Sequence, residues 1–207
     1  MRFKLLVVIL GVILVLVYGI LAILIVGVSG SGSPDSTPTS ESGTGEGPLT
    51  AREAYALAVS EAQNWRQDAH LVNATASWVN VASEEQLAED VAWGFTFLSA
   101  QSREAKIVSV TRLGAESARD MPSTAAMRTA DVTLWDVDSP EVVSLLLDHG
   151  GRDFLNQHPG ATISLRLGPE EESSRLVWLA IGLQSADKST MVLEVDASTG
   201  EVLNDTP

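Results

Sequence analysis

Thr190-Met191-Val192-Leu193-Glu194-Val195-Asp196-Ala197-Ser198-Thr199-Gly200-Glu201-Val202-Leu203 reads as a strand, a tight turn and a short return strand. Gly200 supplies the positive φ that such a turn needs, and Asp196 and Thr199 carry side chains able to bond local backbone amides. The chain therefore closes on an antiparallel hairpin, and the question is what precedes it.

Working outward, Ala161–Leu167 and Leu176–Gln184 are two further strand-like runs. Before them, Ser139-Pro140 places an N-cap residue ahead of a proline at the first helical position. Val142, Val143, Leu146, Leu147 and Phe154 continue a helical stripe. Gly150-Gly151 could end that helix. In register with the first half, Gly151 matches Ala62, so the helix is expected to continue to about Gln157, with the glycines weakening it or permitting close packing. His158-Pro159-Gly160 ends it.

The same order occurs earlier in the chain. Thr50 and Glu53 form a capping box, and Ala54, Ala58, Ala62 and Trp65 recur at helical spacing with Tyr55 beside them. Strand-like runs follow at His70–Val79, Val91–Ala100 and Lys106–Leu113. An offset of 89 residues superposes Val72, Ala74, Ala76 and Trp78 on Ala161, Ile163, Leu165 and Leu167. An offset of 85 superposes Trp93 on Trp178. The difference places an acidic four-residue insertion in the loop Asn80–Asp90, since surface loops tolerate such changes. In the long connection Gly114–Asp138, the alternation over Thr129–Val137 predicts a crossing strand.

The expected fold class is α+β: an N-terminal transmembrane helix, a flexible linker, then two repeats, each with one helix packed on a small antiparallel sheet. The expected boundaries are 1–28 for the anchor, 29–48 for the linker, 49–114 for the first repeat, 115–138 for a connector and 139–207 for the second repeat. Each repeat alone has a marginal core, so the two are expected to pack together.

Leu5–Val28 carries no charged side chain over 24 residues. At about 1.5 Å per residue it reaches roughly 36 Å, enough for a hydrocarbon layer of about 30 Å. A cleaved signal peptide would have a shorter apolar core and a better cleavage site. Arg2 and Lys4 precede the run and no Lys or Arg follows before Arg52, which places the N-terminus in the cytoplasm and the rest outside the cell membrane. Residues 5–28 then have the lipid bilayer as their partner. Gly30–Pro48, nearly all Gly, Ser, Thr and Pro, cannot bury enough apolar surface to fold and reads as a tether.

Composition excludes several functions. The chain has 207 residues, no cysteine and a formal net charge of −14. Disulfides, thiol catalysis, Cys-ligated metals and a lipidated cysteine are therefore absent. Setting Arg2 and Lys4 aside leaves 11 basic against 27 acidic residues, or −16, which disfavours nucleic acid as a partner. His70, His149 and His158 show no metal-ligand spacing, and there is no nucleophile elbow or phosphate loop. Asp136 with Asp138 and Glu170-Glu171-Glu172 read as helix-start and loop chemistry. No catalytic, cofactor or metal residue is assigned. Trp93, Trp135 and Trp178 are read as core packing, with an aromatic binding patch as the alternative. Ser139 is read as a cap, and Asp196, Thr199 and Gly200 as turn residues.

Val195-Asp196-Ala197-Ser198-Thr199-Gly200-Glu201-Val202 resembles the closing hairpin of PepSY and PepSY-like domains. Trp135-Asp-Val-Asp-Ser-Pro-Glu-Val142, His158-Pro-Gly-Ala161 and Thr50-Ala-Arg-Glu-Ala-Tyr-Ala-Leu-Ala58 are similar to the same group. The first half lacks the Asp-x-x-Thr-Gly turn after Val110, so its copy is degenerate. The resemblance implies an extracytoplasmic, non-catalytic module that binds or regulates an envelope protein or peptide, a peptidase among the partners it suggests. Adding the partner's extended segment to a free sheet edge is one means. A structural or sensory ectodomain, and a hydrolase with an unrecognised carboxylate site, are the alternatives.

Overall fold

The computed structural model describes residues 47–124, 127–170, 173 and 175–206. Helix α1 (Ala51–Trp65) starts on its capping box: the Thr50 hydroxyl accepts from the Glu53 amide at 3.3 Å, and the Glu53 carboxylate accepts from the Thr50 amide at 3.0 Å. Its stripe Ala51, Ala54, Ala58 and Ala62 is fully buried, because only methyl groups allow a helix to lie this close to a sheet. Strands β1 (Ala69–Val81), β2 (Trp93–Ser99), β3 (Glu104–Thr111) and β4 (Gly114–Pro122) follow as an antiparallel meander. Two short helices, α2 (Ser139–Leu146) and α3 (Arg152–Gln157), precede β5 (Ala161–Pro169), β6 (Leu176–Gln184), β7 (Ser189–Asp196) and β8 (Val202–Thr206).

The strand order is β4-β3-β2-β1-β5-β6-β7-β8 in one eight-stranded antiparallel sheet. This corrects the expected fold class of two repeats, each with a helix on its own small sheet. β1 and β5 hydrogen-bond to each other from Ala74↔Leu167 to Val81↔Ala161, with the Ser77 and Ser164 hydroxyls 2.8 Å apart across the seam. Two separate sheets would each have left β1 or β5 as an open edge; joining them removes both edges and merges the cores. The seam is centred on Ala76↔Leu165: the offset of 89 residues exchanges Ala74↔Leu167 with Trp78↔Ile163.

Four local expectations are also corrected. β4 occupies the start of what was expected to be a connector; its residues are mostly exposed and carry no apolar alternation. The crossing strand over Thr129–Val137 is absent: Asp131 accepts from the Thr133 amide at 3.0 Å, turning Val132–Leu134 into a 3₁₀ helix. The second helix is interrupted by a π turn over Leu147–Gly151, with Gly150 at φ +98°. A Cβ at Gly151 would sit 2.6 Å from the Leu146 carbonyl oxygen, so glycine is required there. Finally, Asp138 rather than Ser139 is the N-cap of α2, accepting from the Ser139 amide at 2.7 Å.

Both helical segments lie on one face of the sheet. Tyr55 of α1 packs on Phe95 and Phe97 of β2. Paired residues share a face, so the register carries that face from Trp93 through Ala76, Leu165 and Ala180, and from Leu167 to Trp178. At its far side Phe154 of α3 packs on Gly182 of β6. The opposite face, lined by Thr75, Ser77, Thr96, Arg166, Leu179, Ile181 and Glu194, carries no helix among the described residues.

The expected membrane span, residues 5–28, and nearly all of the linker lie outside the described residues. Among the described residues no helix is long and apolar enough to cross a membrane. The expected localisation as a single-pass membrane protein with an extracytoplasmic domain thus has no support among the described residues and is not retained.

Candidate binding surfaces

The two helices begin side by side. The Asp138 carboxylate accepts from the Ser139 amide and, at 3.1 Å, from the Arg52 amide of α1. The Ser139 hydroxyl accepts from the Ala51 amide at 3.0 Å. Two of the four orphan amides at the α1 N-terminus are thus satisfied by the start of α2. Ser139 is buried, and its hydroxyl serves the other helix rather than its own.

Beneath this junction Trp93, Trp135 and Trp178 are 1%, 4% and 0% exposed, so they are core residues and present no open aromatic patch. Trp178 meets Trp93 and Trp135 edge-on, with centroids 6.3 Å and 5.9 Å away. Trp135 and Trp178 both donate to the Val137 carbonyl, at 3.0 Å and 2.9 Å, and Trp93 donates to the Leu49 carbonyl at 3.0 Å. The indole N–H groups of Trp93 and Trp178 therefore tie the backbone leading into each helix to the sheet, and that of Trp135 braces the same loop.

The Asp196–Gly200 turn holds the same region from the other side. The Ala197 carbonyl accepts from the Asp136 and Val137 amides, both at 2.8 Å. Within the turn, Asp196 accepts from the Ser198 and Thr199 amides at 2.8 Å and 3.1 Å and from the Ser198 hydroxyl at 2.6 Å. Thr199 accepts from the Glu201 amide at 3.2 Å, and Gly200 sits at φ +76° with Val137 against it. The structure thus brings Trp135, Trp178, Ser139, Asp196 and Gly200 into one neighbourhood. Trp93 joins it through Trp178, and Thr199 lies at its rim.

The carboxylates of β7 are pushed in opposite directions. The Ser198 hydroxyl holds Asp196 below the ordinary carboxylate range, against the opposing effect of burial. Burial raises Glu194, the Glu170 charge raises it further, and Arg175 opposes. Opposed carboxylates are the pattern an acid–base pair would need. Here Oδ1 of Asp196 is occupied by its own turn and Oδ2 faces Arg175 at 3.5 Å, which gives that group a structural task. His149 faces Asp205 at 3.3 Å and His158 faces Asp187 at 3.2 Å. Among the described residues no group of three or more His, Asp and Glu side chains is placed to hold a metal ion. Glu171 and Glu172 lie outside the described residues.

Two surfaces remain: the strand edges and the bare face. At one edge, β4 carries Glu116, Arg119 and Asp120, slips register opposite Ile107/Val108, and is held to α1 through Ser117, which donates to Glu61 at 2.8 Å. At the other edge, β8 pairs with β7 only over Val192–Val195, and its outer side pairs with no strand among the described residues. The alternation that reveals strands in a sequence marks only their buried phase. The bare face, formed by the other phase, gives no comparable signal.

No family model matches the chain, and no curated protein matches it. The PepSY resemblance therefore has no support from these comparisons. Among solved structures, the chain is similar to the crystal structure of a candidate lipoprotein from Clostridium difficile 630. The TM-score is 0.50 at 10% identity, over 79% of this chain and 95% of that one. At that identity the likeness concerns the fold alone. The chain has no cysteine to carry a lipid, so the neighbour's description does not transfer.

Proposed function

We propose that the chain is a non-catalytic binding or regulatory module for a protein or peptide partner, and that it takes up an extended segment of that partner along β8. The observation that carries this reading is the contrast between the sheet's two edges. Both edge strands slip register against their neighbours, but β4 in addition carries Glu116, Arg119 and Asp120 and a hydrogen bond to α1, devices that keep an edge from pairing. The outer side of β8 (Val202–Thr206) pairs with no strand among the described residues. Adding a strand there would supply main-chain hydrogen bonds, while alternate side chains of the ligand meet flanking groups. The excess of acidic residues favours a basic segment. Regulation of a peptidase rests on the family resemblance alone.

Selection from a random peptide display library tests the reading. Basic, extended peptides are expected, and their binding should slow hydrogen exchange at the β8 amides. Either Asn204→Pro or Asp205→Pro should abolish binding, since neighbouring strand residues direct their N–H groups to opposite sides. Peptides that bind without protecting β8, or a library that yields no binder, would overturn it.

A further inference from the structure

We infer that the bare face of the sheet is the contact surface for a second copy of this chain, docked face to face about a two-fold axis running along β6. The chemistry of the face is self-complementary about that strand. Leu179, Ile181 and Leu183 point outward along β6 and are half-buried or partly exposed, outside the core cluster. An axis along β6 would lay this apolar ladder against its own copy.

The rows that cross the ladder carry the charge argument. Arg166↔Leu179 pair across β5 and β6, and Leu179↔Glu194 pair across β6 and β7, so all three share the bare face with Leu179 in the middle. The rotation exchanges the strands on either side of β6. Arg166 then stands over the partner's Glu194, and Glu194 over the partner's Arg166. One strand further out, Thr75 of β1 and Asn204 of β8 occupy the same row and exchange in the same way. No row sets like charges against each other. At Glu194, burial and the repulsion of Glu170 outweigh the attraction of Arg175, so a second guanidinium across the interface would relieve that carboxylate further.

The dimensions suffice. β1, β5, β6, β7 and β8 span about 24 Å at about 4.8 Å per strand. With β6 about 30 Å long, β7 about 27 Å and β8 about 17 Å, the overlap is roughly 550 Å² per copy, the size of a small, reversible interface. Aligned sheets pack about 10 Å apart. The net negative charge of each copy opposes the approach, so added salt acts in both directions. It screens that long-range repulsion beyond about 8 Å, and it weakens the Arg–Glu pairs less because they are removed from water.

Light scattering and sedimentation of the full chain, from low micromolar to hundreds of micromolar, test the inference. A reversible dimer is expected. Ile181→Lys, which sets two ammonium groups on the axis, should leave a monomer with unchanged near-ultraviolet tryptophan circular dichroism. Arg166→Glu and Glu194→Arg should each weaken the dimer roughly tenfold or more, and the double exchange should restore it. A chain that stays monomeric throughout, a dimer indifferent to these changes, or single exchanges not rescued by the double would overturn the inference. Peptide binding along β8 should persist in the Ile181→Lys monomer, so the two readings fail separately.

Discussion

The two faces of the sheet are built from the same strands in alternating phase, yet they obey different rules. The covered face is packed tightly: Phe95 and Phe97 lie against Tyr55 of α1, whose alanine stripe is fully buried, and Phe154 lies over Gly182. The bare face carries Thr and Ser on its central strands, with aliphatic side chains concentrated along β6. On one face a side chain's size is constrained to fractions of an ångström by what lies above it. On the other, volume is free and charge placement is what distinguishes residues.

Truncating a large side chain on each face tests the comparison most severely. Trp178→Ala should destabilise the chain by about 3–5 kcal/mol, the range for emptying a buried aromatic site. It removes two edge-on ring contacts and one of the two donors to the Val137 carbonyl, which keeps Trp135. Ile181→Ala, three residues along the same strand, should cost well under half of that in the monomer, because its side chain faces outward. Denaturant melts at low protein concentration compare the two. Similar losses would mean that the bare face is covered in solution.

Adding a single methyl group is the second test. A Cβ at Gly182 would lie 2.8 Å from the Phe154 ring, so Gly182→Ala should cost about 1–3 kcal/mol through overpacking. On the bare face the added Cβ of Gly94→Ala would lie 3.2 Å from the Thr75 hydroxyl oxygen, which needs only a small shift. There the gain of about 0.5–1 kcal/mol from removing a strand glycine should bring the net change near zero. Thermal melts of the two variants check the sign as well as the size.

What could be read from the sequence follows the same division. Trp93, Phe95 and Phe97 at period two, and the alanines of α1, announce their elements because a buried face imposes a periodicity. β4 is silent because Gly114–Pro122 lies at an exposed edge and is written in charges. The join of β1 to β5 is also silent. Both strands are legible alone, but nothing local says that the outer backbone groups of one will pair with those of the other 89 residues on. The glycine pair at Gly150-Gly151 is compatible in sequence with a helix end or with a continuous helix, and the structure takes a third course, a break followed by resumption, set by the steric demand at Leu146. For the candidate surfaces the gap is wider. Ser139 and Asp138 can be recognised as helix-start residues, yet their service to α1 is a contact between segments 86 and 88 residues apart.

The smallest effect expected separates the two carboxylates of β7 by sign. Asp196 is held below the ordinary range by the Ser198 hydroxyl, so its contribution to stability is present above the unfolded value near pH 3.9 and is lost as pH falls through the lower folded value. Asp196→Asn should therefore destabilise the chain at neutral pH and flatten the acid limb of its stability profile. Glu194 behaves oppositely. Its folded value is raised, chiefly by burial, so ionising it costs stability as pH rises from the unfolded value near 4.3 through the folded one. In the monomer Glu194→Gln should be slightly stabilising at neutral pH and neutral below that window. Denaturant titrations across pH 3–7 at low protein concentration read both slopes. Two carboxylates two residues apart would then respond to acid with opposite signs, one because its turn consumes the charge, the other because Arg175 does not offset its burial. If Glu194→Gln instead destabilises the chain as concentration rises, the missing balance is supplied by the second copy.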